Sequence, residues 1–243
     1  MNIKNIMYYS NLKFYYRKII SNFSKYPIIY RNGFDLNKTL NFNKINLVLD
    51  VGAHTGTFSQ SLRRFGYKKE IISFEPIEKS YEKLILNSSK DKNWHIYERV
   101  ALGNENKKIK INISKKIDSS SILKVKKNHI KIEPDSKIIK NETVNMIKLD
   151  KILIKYINKK NCYLKIDTQG YEYPILLGSG NFLKKVKMIQ LELSLHKLYE
   201  GQESWEKILN YLKKFNFKIW SIIPGFKNKK TNQLMQFDVI FYK

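Results

Sequence analysis

Asp50 stands just before Gly52, with Gly56 four residues further on, near the end of the apolar run Leu47, Val48, Leu49 and Val51. A strand that runs straight into a glycine turn and a helix brings backbone N–H groups close to a ligand. In an open parallel sheet such a turn lies beyond the carboxyl end of the strand, where ligands bind. The lysine and Ser/Thr of a phosphate-binding loop do not follow Gly56, and His54 stands where a dinucleotide-binding turn has its second glycine. A side chain there leaves less room for a pyrophosphate. The Asp50 carboxylate then either faces a ligand carrying positive charge or orders the turn that does so. Glu75 closes the next apolar run, 25 residues after Asp50. A carboxylate on that neighbouring tip can accept both hydroxyl donors of a ribose. Pro76 stops the strand and lets a helix begin. Complementing that helix's dipole is the plainer role for Glu75, but the glycine turn in the preceding unit favours the ligand role.

These tips require elements to hold them. Apolar runs of strand length recur at 46–51, 70–74, 95–101, 162–167, 187–193, 217–223 and 236–242. Helix-like stretches lie between several of them, at 57–66, 77–88, 149–158, 171–183 and 203–215. The alternation predicts right-handed crossovers and an α/β fold, a mostly parallel sheet covered on both faces. Residues 108–147 break the rhythm: "KKIKINIS" and "ETVNMIKL" read as strands, with the serine-rich "DSSSI" as a loop between them. No internal repeat or Pro/Gly-rich linker divides the chain. One domain is expected over 46–243, after a basic, aromatic, helical extension over 1–45.

The 243 residues carry a net charge of +25, as a nucleic-acid binder would. The excess is spread along the chain: residues 1–45 hold eight basic side chains, 107–140 eleven, and 207–230 seven. Lys, Asn and Ile crowd the sequence together, so composition explains the charge better than a focused basic face does. Cys162 is the single cysteine. It can form no intramolecular disulfide, which points to the interior of a cell, and its apolar setting marks it as inert. No run of about 18 apolar residues offers a membrane span, and the N-terminus lacks a signal-peptide apolar segment. That N-terminal segment reads as an amphipathic helix packed on its own domain; peripheral contact with an anionic inner membrane face is the alternative.

Seven motifs in order, "LDVGAHTGTFSQSLRRFG", "SFEPIEKSYEKLILN", "VALG", "DSSSI", "LKIDTQGYEYPILLGSG", "ELSLHKLYEG" and "QFDVIFYK", resemble those of FkbM-type methyltransferases. The resemblance runs from about Leu47 to Tyr242. It implies a Rossmann-like class I fold: seven strands, mostly parallel, with an antiparallel strand at 236–242 and helices on both faces. It also implies S-adenosylmethionine as cofactor. Asp50, Gly52, Ala53, His54 and Gly56 would form the loop around its amino-acid part, Glu75 with Pro76 would hold the ribose, and Ala101 and Leu102 would lie near the adenine. In many relatives an asparagine fills the place of His54 and a glutamate that of Gln169.

Methyl transfer from a sulfonium is an in-line displacement, to which the protein contributes alignment and electrostatics. A sugar hydroxyl is a weak acid, so a base at the strand tips opposite the glycine turn is useful. Asp167 ends "YLKID", and Lys165, two residues earlier, points to the same face. Glu192 is a carboxylate inside an apolar strand, costly unless it is paired or functional, and His196 follows it. These four are the candidate catalytic residues. Asp238 is a weaker candidate, and Tyr171 and Tyr199 are candidates for stacking on a sugar. His95 and His129 read as structural or solvated. No tight ligand spacing suggests a metal. The function expected is O-methylation of a sugar hydroxyl in a bacterial surface polysaccharide or other glycoconjugate. The alternative is methylation of RNA, which the charge favours and the absence of a "DPPY"-like tip disfavours.

Overall fold

The computed structural model describes residues 36–153 and 161–243. The N-terminal segment and its membrane contact, and the end of the helix expected over 149–158, lie outside the described residues. Seven strands, β1 (Leu47–Val51), β2 (Glu70–Phe74), β3 (Trp94–Ile96), β7 (Cys162–Ile166), β8 (Met188–Ser194), β9 (Lys218–Pro224) and β10 (Gln236–Tyr242), form one sheet in the order β3-β2-β1-β7-β8-β10-β9. All neighbours pair in parallel except β10, which runs antiparallel to both β8 and β9. This is the sheet the alternating pattern and the resemblance predict.

β1 and β7 are buried along their whole length, as central parallel strands covered on both faces must be. Leu47, Leu49 and Val51 face a core completed by the helices Glu172–Leu177, Gly180–Leu183 and Trp205–Lys213. Val48 faces the opposite core, with Leu62 and Leu84 from the helices Thr57–Arg64 and Glu78–Ser88. Leu36 and Leu40, from the helical residues 36–42, pack into this second core.

Three features differ from the sequence expectation. The third strand does not run from 95 to 101: it stops at Ile96, and Ala101–Leu102 forms a separate strand, β4. β4 joins β6 (Ile138–Ile147) and β5 (Lys107–Ser114) in a second sheet of order β4-β6-β5. The helix expected over 171–183 breaks at Gly178, where an added Cβ would stand 1.9 Å from the Gly103 carbonyl oxygen. A helix over Lys127–Ile132 was not legible in the sequence. With the turn Ile117–Ser119, this helix and the second sheet form a wall above the tips of β1, β2 and β7.

Candidate active site

The strand order reverses around β1: β2 flanks it on one side and β7 on the other. A cavity of about 280 Å³ opens beyond these tips, at the switch point where ligands bind open α/β sheets. Val51 and Gly52, Phe74 and Glu75, and Asp167 and Thr168 line its base. Val100, Ala101, Leu102 and Ile111 line one flank.

The glycine turn is held by close packing. Gly52 has φ +75°, and a Cβ there would meet the Asp167 carbonyl oxygen at 1.9 Å. Its N–H and that of Ala53 both donate to the Phe74 carbonyl oxygen, at 3.1 and 3.0 Å. Gly56, with φ +87°, lies where a Cβ would strike the Trp94 ring at 2.6 Å. Ala53 and Gly56 therefore shape the turn from behind and do not line the cavity. His54 lines it, with φ +52°, a conformation that His and Asn tolerate better than most side chains. Burial lowers the His54 pKa against the pull of Asp118 and Asp167, which raise it.

Glu75 is buried at the tip of β2. Its Oε2 accepts the His54 N–H at 2.7 Å and its Oε1 accepts the Ile77 N–H at 2.9 Å. Burial pushes its pKa up to about 7, against the opposing effect of these two hydrogen bonds. Among the described residues these two bonds leave two of the four lone-pair sites of the carboxylate for a ligand. Pro76, Ala101 and Leu102 stand beside it on the cavity wall.

The second group of sequence candidates splits. Asp50 is fully buried and does not line the cavity: Oδ2 accepts from the Ser59 hydroxyl at 2.9 Å, and Oδ1 lies 3.3 Å from the Lys165 Nζ. Lys165 bridges to Asp167 Oδ2 at 3.4 Å and sits over the Phe58 ring at 5.1 Å. Burial alone would lower the Lys165 pKa, but Asp50 and Asp167 outweigh it and hold the ammonium charged. Asp50 and Lys165 are direct partners in the β1–β7 register, so the ion pair is set by the sheet itself. Asp167 lines the cavity, as does Glu192; Lys165 does not. His196 is exposed, outside the cavity wall, with Nε2 3.0 Å from the Gln233 amide nitrogen. Asp238 is set back behind the wall, where burial pushes its pKa to about 6 and Gln190 donates to it at 3.0 Å.

The residue that joins Asp167 to Glu192 was not among the sequence candidates. Gln169, with φ +56°, donates from Nε2 to Asp167 Oδ1 at 3.0 Å and to Glu192 Oε2 at 2.6 Å. Its Oε1 accepts from the Tyr199 hydroxyl at 3.0 Å. Gln236 adds a second bond to Glu192 Oε2 at 2.7 Å. Burial, then Asp167, Asp238 and Glu172, push the Glu192 pKa well above its ordinary value. Tyr171 and Phe226 complete this half of the wall, while Tyr199 is buried behind it. His129 also lines the cavity, between the Tyr199 and Phe226 rings. Neither its helix nor its place between these two rings could be read from sequence spacing. Among the described residues, no group of three or more His, Cys, Asp or Glu side chains could hold a metal ion. No helix among them is long and apolar enough to cross a membrane.

A family model described as the methyltransferase FkbM domain matches residues 50–219. The 2-O-methyltransferase NoeI of Sinorhizobium fredii is 25% identical over 175 residues, covering 70% of this chain and 72% of that protein. Among solved structures, Aeropyrum pernix fibrillarin with bound S-adenosylmethionine aligns over 81% of this chain and 66% of its own, at 9% identity and TM-score 0.47. A SAM-dependent methyltransferase of Aquifex aeolicus aligns over 93% of this chain and 97% of its own, at 13% identity and TM-score 0.43. With the family match spanning the glycine turn, Glu75 and the Asp167–Glu192 wall, the chain belongs to the FkbM methyltransferase family and is an S-adenosylmethionine-dependent methyltransferase.

Proposed function

We propose that this methyltransferase acts on a sugar hydroxyl, within a surface polysaccharide or other glycoconjugate. The observation that carries this reading is the wall facing Glu75. It combines two carboxylates, Asp167 and Glu192, two carboxamides, Gln169 and Gln236, and the rings of Tyr171 and Phe226. Carboxylates and carboxamides bond hydroxyls, and an aromatic face covers the C–H side of a sugar ring. The oxygen specificity in the name of the relative NoeI supports an oxygen acceptor.

The residues present suit the cofactor. Glu75 has unfilled acceptor sites at the cavity wall among the described residues, Gly52 lets the turn close against the Asp167 carbonyl at the cavity base, and Ala101, Leu102 and Ile77 offer an apolar surface for a base. Gly52, His54, Glu75, Pro76, Ala101 and Leu102 would hold it, with Asp50, Ala53 and Gly56 fixing the turn. When bound, S-adenosylmethionine supplies an electrophilic methyl group.

In this reading Asp167 orients the acceptor hydroxyl. Its charge is balanced by Lys165, a positioning residue held in turn by Asp50. Glu192 takes the hydroxyl proton on Oε1, because Oε2 is occupied by the Gln169 and Gln236 amides. A carboxylate with a raised proton affinity is a better base than an ordinary glutamate. His196 and Lys165 are not assigned a proton-transfer role: one lies off the wall and the other is a fixed cation. Glycans and RNA from producing and deletion strains, compared by mass spectrometry, test the assignment. A methyl ether that is lost from a saccharide on deletion is expected; a mark lost only from RNA refutes it.

A further inference from the structure

A second recess of about 290 Å³ adjoins the cavity and shares His54, Ile117 and Asp118 with it. Its other lining residues are Thr55, Lys79, Ser80, Lys83 and Lys115. We propose that this recess binds a phosphate group carried by the acceptor, so that the substrate is a phosphorylated sugar. This rests on the sugar-methylating function proposed above.

Three independent features meet there. First, Lys79 and Lys83 form no ion pair among the described residues, while Lys115 is held by Asp135 at 2.8 Å. Among the described residues, Asp118 is the single carboxylate lining the recess, against three ammonium groups. Second, the helix Glu78–Ser88 starts at this recess without a side-chain cap, since its N-cap is Ile77. The Glu78 N–H is taken by Glu142 Oε2 at 3.1 Å, but the Lys79 and Ser80 N–H groups meet no acceptor among the described residues. Unpaired N–H groups and the helix dipole together favour an anion at such an end. Third, Ser80 is 1% exposed and its hydroxyl has no hydrogen-bond partner among the described residues. A buried hydroxyl without a partner is costly, and an oxyanion supplies the missing acceptor.

A phosphate fits this combination better than a carboxylate does, because three tetrahedrally arranged oxygens can meet the serine hydroxyl, the amides and the lysines together. The recess and the cavity share His54, Ile117 and Asp118 in their linings, so a sugar phosphate could reach from one to the other. The phosphate belongs either to a nucleoside diphosphate sugar or to a lipid-linked sugar diphosphate; both present the same group to the recess.

Calorimetric titration of the full chain with inorganic pyrophosphate, with UDP and with S-adenosylhomocysteine tests the proposal. Pyrophosphate binding is expected, weakening with added salt and falling at least tenfold in the Lys79→Glu, Lys83→Glu double variant. S-adenosylhomocysteine binding should be unchanged there. Ser80→Ala should weaken pyrophosphate severalfold while leaving the unliganded chain at least as thermally stable. UDP binding tighter than pyrophosphate identifies the nucleotide-linked source; equal affinities identify the lipid-linked one. Pyrophosphate binding that ignores both variants, or no binding, overturns the phosphate site and leaves the methyl-transfer reading untouched. A loss of S-adenosylhomocysteine affinity in the double variant also overturns it, because the cations would then serve the cofactor.

Discussion

Replacing Glu75 by Gln separates the two demands on this side chain. As a carboxylate it accepts two backbone N–H bonds, at 2.7 and 2.9 Å, and keeps two lone-pair sites for ribose hydroxyls. Hydrogen bonds to a charged group contribute about 1.5–3 kcal/mol each. Glutamine keeps one acceptor oxygen but turns an NH₂ group toward a backbone N–H or a ribose hydroxyl. A loss of about 2–4 kcal/mol in S-adenosylmethionine binding is therefore expected, roughly 30- to 1000-fold in Kd. The pH dependence adds a second signature. The pKa of Glu75 is raised to about 7, so below that pH the free protein carries a neutral carboxyl with fewer acceptor sites. If only the ionised form accepts both hydroxyls, wild-type affinity falls about fivefold from pH 7 to pH 6. The Gln variant should show no such slope. Isothermal titration at pH 6, 7 and 8, with circular dichroism to confirm folding, measures both effects. Wild-type affinity that is flat with pH, together with a Gln variant within threefold of it, refutes a ribose-binding Glu75.

Other perturbations follow from the same geometry. Glu192→Gln should abolish turnover while leaving cofactor affinity intact, and the wild-type rate should climb with pH above the usual glutamate range as Glu192 ionises. A rate that is unchanged in the variant removes Glu192 as the base. Lys165→Met leaves Asp50 buried without its cation and should cost about 3–5 kcal/mol of stability in a denaturant titration. A variant as stable as the parent would mean that the pair contributes nothing. Gly52→Ala must adopt φ +75° and push aside the Asp167 carbonyl; the backbone alone costs about 1–2 kcal/mol. Its melting temperature and cofactor affinity should both drop, and retention of both would argue against the close approach.

The acidification response of the whole fold has a defined sign. Glu75 and Glu172 are both raised to about 7 by burial. Each binds its proton more tightly folded than unfolded, so the stability of the unliganded chain should rise as pH falls from about 7 toward their unfolded values near 4.5. Thermal melts that show the opposite slope across that window would mean that other groups dominate.

Local order was legible in the sequence because it follows from periodicity and from residues with backbone consequences. The apolar runs at β1, β2 and β7 could only be buried parallel strands, and Gly52 and Glu75 marked two of their tips. Lys165 and Asp167 were recognised as sharing a face, which period-two alternation dictates. Whether that face pointed at a ligand or at Asp50 depended on strand order, which no local pattern contains: β1 and β7 lie far apart in the chain and become neighbours only in the sheet. The same limit hid Gln236, which reaches Glu192 across 44 residues, and Gln169, whose left-handed backbone turns its amide between two carboxylates. It also explains His196, close to Glu192 in sequence yet directed away from it once β8 ends. Residue type and spacing determined the sheet and the tips of its strands; the pairing of distant strands, and the wall built by β4, β5 and β6, decided which side chains meet.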